Sequence, residues 1–293
     1  MKSIINYIDK VSVELAKRVS TYEKGASYLK DVQSFFALNQ KEKVFGRSMD
    51  PTIQSVEFRD VSFAYPGSKQ KVLNHFSLKL EDGKQYAIVG ENGAGKSTLI
   101  KLLMGVYDSY EGEILINGVD IRSYDEQSLR DLFSYVPQDV TRYEISLDEY
   151  LKVRDREKIE QIFDEYGIDF MPDSKDKIML GRLEEGAIDL SGGQWQLLAI
   201  VRACVNEKNI NILDEPTAAI DPIREAELYY TFQKVLQKRF AILITHRLGA
   251  AKMANEIIAI KDGRVAERGS HEELMSRKGM YAQMYALQKK WYE

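Results

Sequence analysis

A single cysteine, Cys204, excludes an internal disulfide and suits a reducing compartment. It is expected to pack as a small buried apolar residue. Basic excess is also missing: the net charge is -4 and the pI about 5.7, so no cationic footprint argues for nucleic acid as a partner. No apolar run approaches the roughly 18–20 residues needed to cross a bilayer. A secretory leader is not expected, because Asn6, Asp9, Lys10, Ser12 and Glu14 interrupt the N-terminal apolar residues. Neither an internal repeat nor a low-complexity stretch is visible. What remains is a chain of 293 residues, 44% hydrophobic, which is enough for one large domain with its own core and an appendage.

Gly90-Glu91-Asn92-Gly93-Ala94-Gly95-Lys96-Ser97-Thr98 fits the phosphate-binding G-x-x-x-x-G-K-[ST] pattern, with one extra glycine inside it. Gln85 to Val89 reads as a short buried strand before it. Ser97 to Met104 reads as a helix after it, with Leu99, Leu102 and Leu103 on the apolar side. A phosphate chain needs this arrangement. Glycines let successive N–H groups turn inward, and the helix start adds unpaired donors and partial positive charge. Lys96 would reach the β- and γ-phosphates, and the Ser97 hydroxyl would bind Mg²⁺.

Asn209 to Leu213 reads as a second buried strand that runs into Asp214-Glu215-Pro216. A carboxylate at a strand end beside such a loop is placed to organise Mg²⁺, which assigns Asp214; Glu215 is then the candidate base for an attacking water. Upstream, Leu190-Ser191-Gly192-Gly193-Gln194 opens an apolar helical run and offers a second set of N–H donors. Two anion cradles suggest two faces of one γ-phosphate. Whether they meet within one chain or across two stays open on these residues alone.

The first ~45 residues differ in pattern. Ile4, Ile8, Val11, Leu15, Val19, Tyr22, Ala26, Leu29, Val32 and Phe36 recur in steps of three or four, one apolar stripe on a long helix. A boundary is placed near Gly46 to Pro51, dividing residues 1–48 from residues 49–293. Alternation follows in Ile53 to Phe58 and Val61 to Tyr65, and strands then alternate with helices. The fold expected is α/β: a P-loop NTPase core, mainly a parallel sheet flanked by helices, with an antiparallel β edge subdomain. A helical subdomain is inserted at about 144–205, where Arg156 to Tyr166 is the clearest helix.

From about Thr52 to the C-terminus, the chain resembles the nucleotide-binding domain of the ATP-binding-cassette (ABC) transporters. Leu190 to Gln194 matches that family's signature without a mismatch. The resemblance implies an ATPase using ATP and Mg²⁺, in which two such domains pair head to tail. Each ATP then lies between the P-loop of one domain and the Ser191, Gly192, Gly193 and Gln194 stretch of the other. It further implies that Tyr65 stacks on adenine, that Gln138 contacts Mg²⁺ or water and senses the membrane part, that Asp221 sits at the dimer seam, and that His246 contacts the γ-phosphate. Two positions depart from the family: Leu197 stands where arginine or lysine is usual, and Ala218-Ala219-Ile220-Asp221 lacks a serine. Lys96, Asp214, Glu215 and His246 are all present, so neither change implies a dead enzyme.

The resemblance is greatest to exporters, through Val72 to Leu78, Glu113 to Gly118 and Gly263 to Leu274. It implies work at the cytoplasmic face of the membrane and a transmembrane domain as partner, with contact at Tyr143 to Tyr150. The apolar stripe of residues 1–48 resembles the cytosolic end of a last transmembrane helix, so the expectation is a piece of a longer transporter; a separate subunit stays open. The alternative reading is an ATP-binding subunit of an uptake-type or non-transport system. Transported cargo is not written in these residues.

Overall fold

A computed structural model of the chain describes residues 2–38, 52–153, 155–170, 178–206, 208–216 and 239–290. The chain divides into a unit up to Phe45 and a unit from Gly46 onward. Among the described residues the first is a single helix, α1 (Lys2–Leu38), with Leu15, Val19, Tyr22, Leu29, Val32 and Phe36 all exposed. Among the described residues, no helix is long and apolar enough to cross a membrane.

In the second unit, strand β1 (Ser55–Phe63) pairs antiparallel with β2 (Leu73–Glu81) and with β4 (Glu111–Ile116), which carries the short β5 (Val119–Asp120). The two alternating stretches expected at 53–58 and 61–65 are one strand here. Its register shifts after Phe58 and after Val61, and Asp60 takes a left-handed φ of 51° between them. Each shift restores inward-facing apolar residues, which leaves Val56, Phe58, Val61 and Phe63 all buried.

The larger sheet is built mainly from parallel strands. It runs β10 (Arg264–Gly269), β9 (Glu256–Lys261), β3 (Gln85–Val89), β8 (Phe240–Ile244), β7 (Ile210–Asp214) and β6 (Phe133–Val136), with only the β10–β9 pair antiparallel. Strands β3, β7 and β8 are aliphatic because both faces are covered. Helix α2 (Lys96–Leu103) packs Leu99, Ile100, Leu102 and Leu103 into the core that includes Ile88, Ile212, Ile242 and Ile244.

A helical subdomain has its own core. Helices α4 (Leu147–Leu151), α5 (Arg156–Tyr166) and α6 (Gly192–Val205) meet around Trp195, which is 2% exposed and stacks edge-on against Tyr150 with ring centroids 5.5 Å apart. Leu197 packs against this core and against the cluster under β7, which explains an apolar side chain where the family resemblance points to a cation. Short α3 (Glu126–Asp131) precedes β6, and α7 (Leu248–Ala251) follows β8. The described chain closes with α8 (His271–Arg277), whose Ser270–Glu273 capping box matches the sequence expectation, and α9 (Met280–Lys289).

Candidate functional site

Parallel strands with right-handed crossovers bring their C-terminal ends to one edge of the sheet, and ligands bind there. The ends of β3, β6, β7 and β8 are followed by Gly90, Pro137, Glu215 and Thr245, four loops remote in sequence and adjacent in space. They open onto a cavity of about 720 Å³ lined by Tyr65, Val72, Asn92, Gly93, Gly95, Lys96, Ser97, Thr98, Gln138, Glu215 and His246.

The loop after β3 is held by steric necessity. Gly90 has φ 153°, and a Cβ there would lie 2.3 Å from the Ile260 carbonyl oxygen of β9. Gly95, the residue before α2, is left-handed at φ 102°. Such a backbone turns amides toward the cavity. Lys96 is 6% exposed, and its ammonium donates to the Gly90 and Glu91 carbonyls at 2.9 and 3.0 Å. Burial pulls its pKa down, against the opposing pull of the Glu215 and Asp214 carboxylates. Ala94 is buried behind the loop, and Thr98 donates or accepts with the Tyr65 hydroxyl at 2.8 Å. Tyr65 follows β1 and is braced edge-on by Phe63 and Tyr107 at 5.2 and 5.5 Å.

Asp214 ends β7 and is 4% exposed. The Ser97 hydroxyl donates to its Oδ1 and the Tyr135 hydroxyl to its Oδ2, both at 3.3 Å. Burial raises the Asp214 pKa, those two hydrogen bonds lower it, and the neighbouring Glu215 charge adds to the rise. Tyr135 was not anticipated from sequence. Its alternation along β6 marks which face it occupies, and only the β6–β7 pairing shows that this face meets Asp214.

Glu215 has a left-handed φ of 48°, a conformation that costs a non-glycine residue on the order of 1–3 kcal/mol and clusters at functional sites. Its N–H donates to the Ile244 carbonyl at 2.9 Å, which holds the turn in place. Its carboxylate is 3.1 Å from His246 Nδ1, and the imidazole is half exposed to the cavity. Gln138 is exposed at the same cavity.

The predicted residues are thus brought together with two exceptions. Among the described residues lining the cavity, none comes from Ser191, Gly192, Gly193 or Gln194. Ser191 caps α6, accepting from the Gln194 N–H, while the Gln194 side chain accepts from the Ser191 N–H at 2.8 Å. Gly192 lies at the first turn, where a Cβ would meet nothing within 4 Å. Among the described residues, no packing requires glycine there. Asp221 with its Ala218-to-Asp221 loop lies outside the described residues, as does the Cys204 side chain.

The donor set fits the expected ligands. Ser97 and Asp214 offer oxygen ligands 3.3 Å apart, the hard donors that Mg²⁺ takes, beside Lys96, whose ammonium is held by the neutral Gly90 and Glu91 carbonyls. A glycine-rich loop before a helix start, a buried ammonium and an aromatic ring on the same cavity fit a nucleoside triphosphate.

Known proteins resemble this chain in sequence and in fold. Residues 73–218 match the family model described as ABC transporter. The chain is 37% identical over 267 residues to the subtilin transport ATP-binding protein SpaT of Bacillus subtilis, covering 88% of this chain and 44% of that protein. It is 36% identical over 265 residues to the ATP-dependent lipid A-core flippase of Escherichia coli (strain K12), covering 87% and 45%. The structure of a bacterial Atm1-family ABC exporter with ATP bound superposes with a TM-score of 0.76 at 31% identity, over 89% of this chain and 47% of that one. The chain spans about half the length of the relatives it matches.

Proposed function

This chain belongs to the ABC transporter family and carries its ATP-binding domain, and on that basis we propose that it hydrolyses ATP to power an exporter. The observation that carries the reading is the convergence of Lys96, Ser97, Gln138, Glu215 and His246 on one cavity, with Asp214 bonded to Ser97 behind it.

In this reading residues 1–48 link to a transmembrane domain, fused or separate, and residues 49–293 form the ATPase at the cytoplasmic face of the membrane. Tyr65 holds the adenine. The amides of Gly90 to Thr98 cradle the phosphates, and Lys96 turns from its carbonyl partners to the β- and γ-oxygens. Ser97, Asp214 and Gln138 would hold Mg²⁺, which supplies charge neutralisation along the phosphate chain. Glu215 accepts a hydrogen bond from the attacking water and aims it in line with the bond to the leaving ADP oxygen. His246 fixes the Glu215 carboxylate on one side and faces the transferred phosphoryl group on the other.

The second cradle completes the site from another copy. The absence of Ser191–Gln194 from the lining of the chain's own cavity supports this, as does the unhindered space around Gly192. Ser191 and Gly193 then meet the γ-phosphate bound by the facing domain, in a head-to-tail dimer with Asp221 at its seam. Hydrolysis replaces that attraction by repulsion between products, and the opening passes through Gln138 and the Tyr143–Tyr150 segment to the transmembrane partner.

Three measurements test this: phosphate release, oligomeric state and ATP binding. Purified protein with MgATP is expected to release phosphate, and Glu215→Gln is expected to bind ATP, lose turnover by at least about a hundredfold and accumulate as a dimer. Lys96→Ala is expected to lose ATP binding by calorimetry. A Glu215→Gln chain that stays monomeric at saturating MgATP refutes the pairing.

A further inference from the structure

The segment that follows Gln138 and the segment that precedes Ser191 are built as one piece. Leu147 N–H donates to the Ile178 carbonyl at 2.9 Å and Leu180 N–H to the Ile145 carbonyl at 3.0 Å, and Ile188 N–H returns to Met179 at 2.8 Å. Outside this small ladder, the Glu144 carboxylate takes the Arg182 N–H at 2.8 and 3.0 Å and the Leu183 N–H at 3.1 Å. Gly181 makes room for it: a Cβ there would sit 1.9 Å from Glu144 Oε2. Arg182 in turn pairs with Asp189 at 2.9 Å, two residues before Ser191.

We propose that Glu144 is a positioning residue that makes the Gln138 loop and the Ser191 end of α6 move as one body. Glu144 thereby holds the Arg182–Asp189 stretch, and the Ser191 end beyond it, to the segment that follows Gln138. This rests on the head-to-tail pairing proposed above. Two charge-assisted hydrogen bonds to backbone amides are the kind of contact that fixes a loop's position without adding to the core.

The test uses the full chain in a Glu215→Gln background, where the MgATP-dependent dimer is measured by analytical ultracentrifugation. Glu144→Ala is expected to weaken dimerisation about tenfold. MgATP affinity of the monomer, set by the chain's own cavity, is expected to be unchanged by calorimetry. Glu144→Gln is expected to restore dimerisation, because one carbonyl oxygen at the Oε2 position can accept both N–H groups. A merely structural role would lower nucleotide affinity and dimerisation together and would not be rescued by the amide.

Gly192→Asp serves as the control, since it leaves the chain's own packing alone and blocks the signature face. A Glu144→Ala chain that dimerises like its parent while Gly192→Asp is monomeric overturns the role of Glu144. A Gly192→Asp chain that also dimerises overturns the pairing itself and this inference with it. Should Glu144→Ala fail to fold, hydrogen exchange on the parent decides. Segments 141–147 and 179–190 are expected to slow together on adding MgATP, and slowing of one without the other overturns the proposal.

Discussion

The imidazole of His246 stands 3.1 Å from the Glu215 carboxylate, Nδ1 to Oε1, although 31 positions separate the two residues. Adjacent parallel strands β7 and β8 bring them together, and the Glu215 N–H bond to Ile244 sets the angle. Removing the imidazole frees the carboxylate to rotate. His246→Ala is expected to lower kcat by roughly a hundredfold while MgATP affinity changes only severalfold, which single-turnover kinetics beside calorimetry will separate.

Tyr65 has a ring and a hydroxyl that substitution can divide. Tyr65→Ala removes the ring that would stack on adenine, and ATP affinity is expected to fall about tenfold, in line with base–aromatic stacking elsewhere. Tyr65→Phe keeps the ring and its edge contacts with Phe63 and Tyr107 but loses the bond to Thr98. It is expected to bind within about threefold of the parent, because the aromatic contacts already orient the ring. Equal losses for both variants would show that the hydroxyl, not the ring, matters.

Asp214 is buried at a cost in stability. Burial raises its folded pKa above the ordinary carboxylate range, so the charged form is penalised in the folded state. The penalty is full above the folded pKa and fades as pH falls toward the unfolded value. Asp214→Asn keeps the shape, and the two hydroxyls can reorient around the amide. Nucleotide-free protein carrying it is expected to melt roughly 2–4 °C higher at pH 7.5. That gain should shrink on acidification, and Mg²⁺-dependent ATP binding should weaken. A lower melting temperature at pH 7.5 would contradict the burial argument.

Trp195 anchors the helical subdomain against Tyr150, Leu198 and Val201. Trp195→Ala is expected to cost about 3–5 kcal/mol in chemical denaturation, as large-to-small changes in a core do. The nucleotide cavity belongs to a different core, so ATP affinity at low temperature is expected to survive while turnover is lost with the signature helix.

Legibility from sequence varied with the range of the forces involved. The glycine loop between β3 and α2 was readable because its requirements are local: a buried strand, positive φ and a helix start are encoded by neighbouring residues. Helix α5 and the capping box of α8 were readable for the same reason. The break in β1 was visible as two alternating stretches, but whether it ended the strand depended on partners β2 and β4, which supply the hydrogen bonds on either side of the shift. Leu197 departs from its family's pattern, and the reason is not local: it packs, partly buried, against two apolar clusters. Tyr135 and Glu144 lie inside stretches that the sequence singles out but have no individual role legible there; each touches a neighbour distant in sequence, Asp214 for one and the Arg182–Leu183 amides for the other.

By itself, then, the order of residues determined which chemical groups this protein brings to its proposed reaction: a candidate phosphate loop, a candidate metal-side carboxylate, a candidate base and a signature are each short strings whose backbone and side-chain demands are met within a few positions. Only the tertiary structure decided which of them share a cavity. Strand order β3-β8-β7-β6 put Lys96, His246, Glu215 and Gln138 around one space and left Ser191 to Gln194 out of its lining, because hydrogen-bonded pairing between strands depends on the whole sheet and no local pattern specifies it.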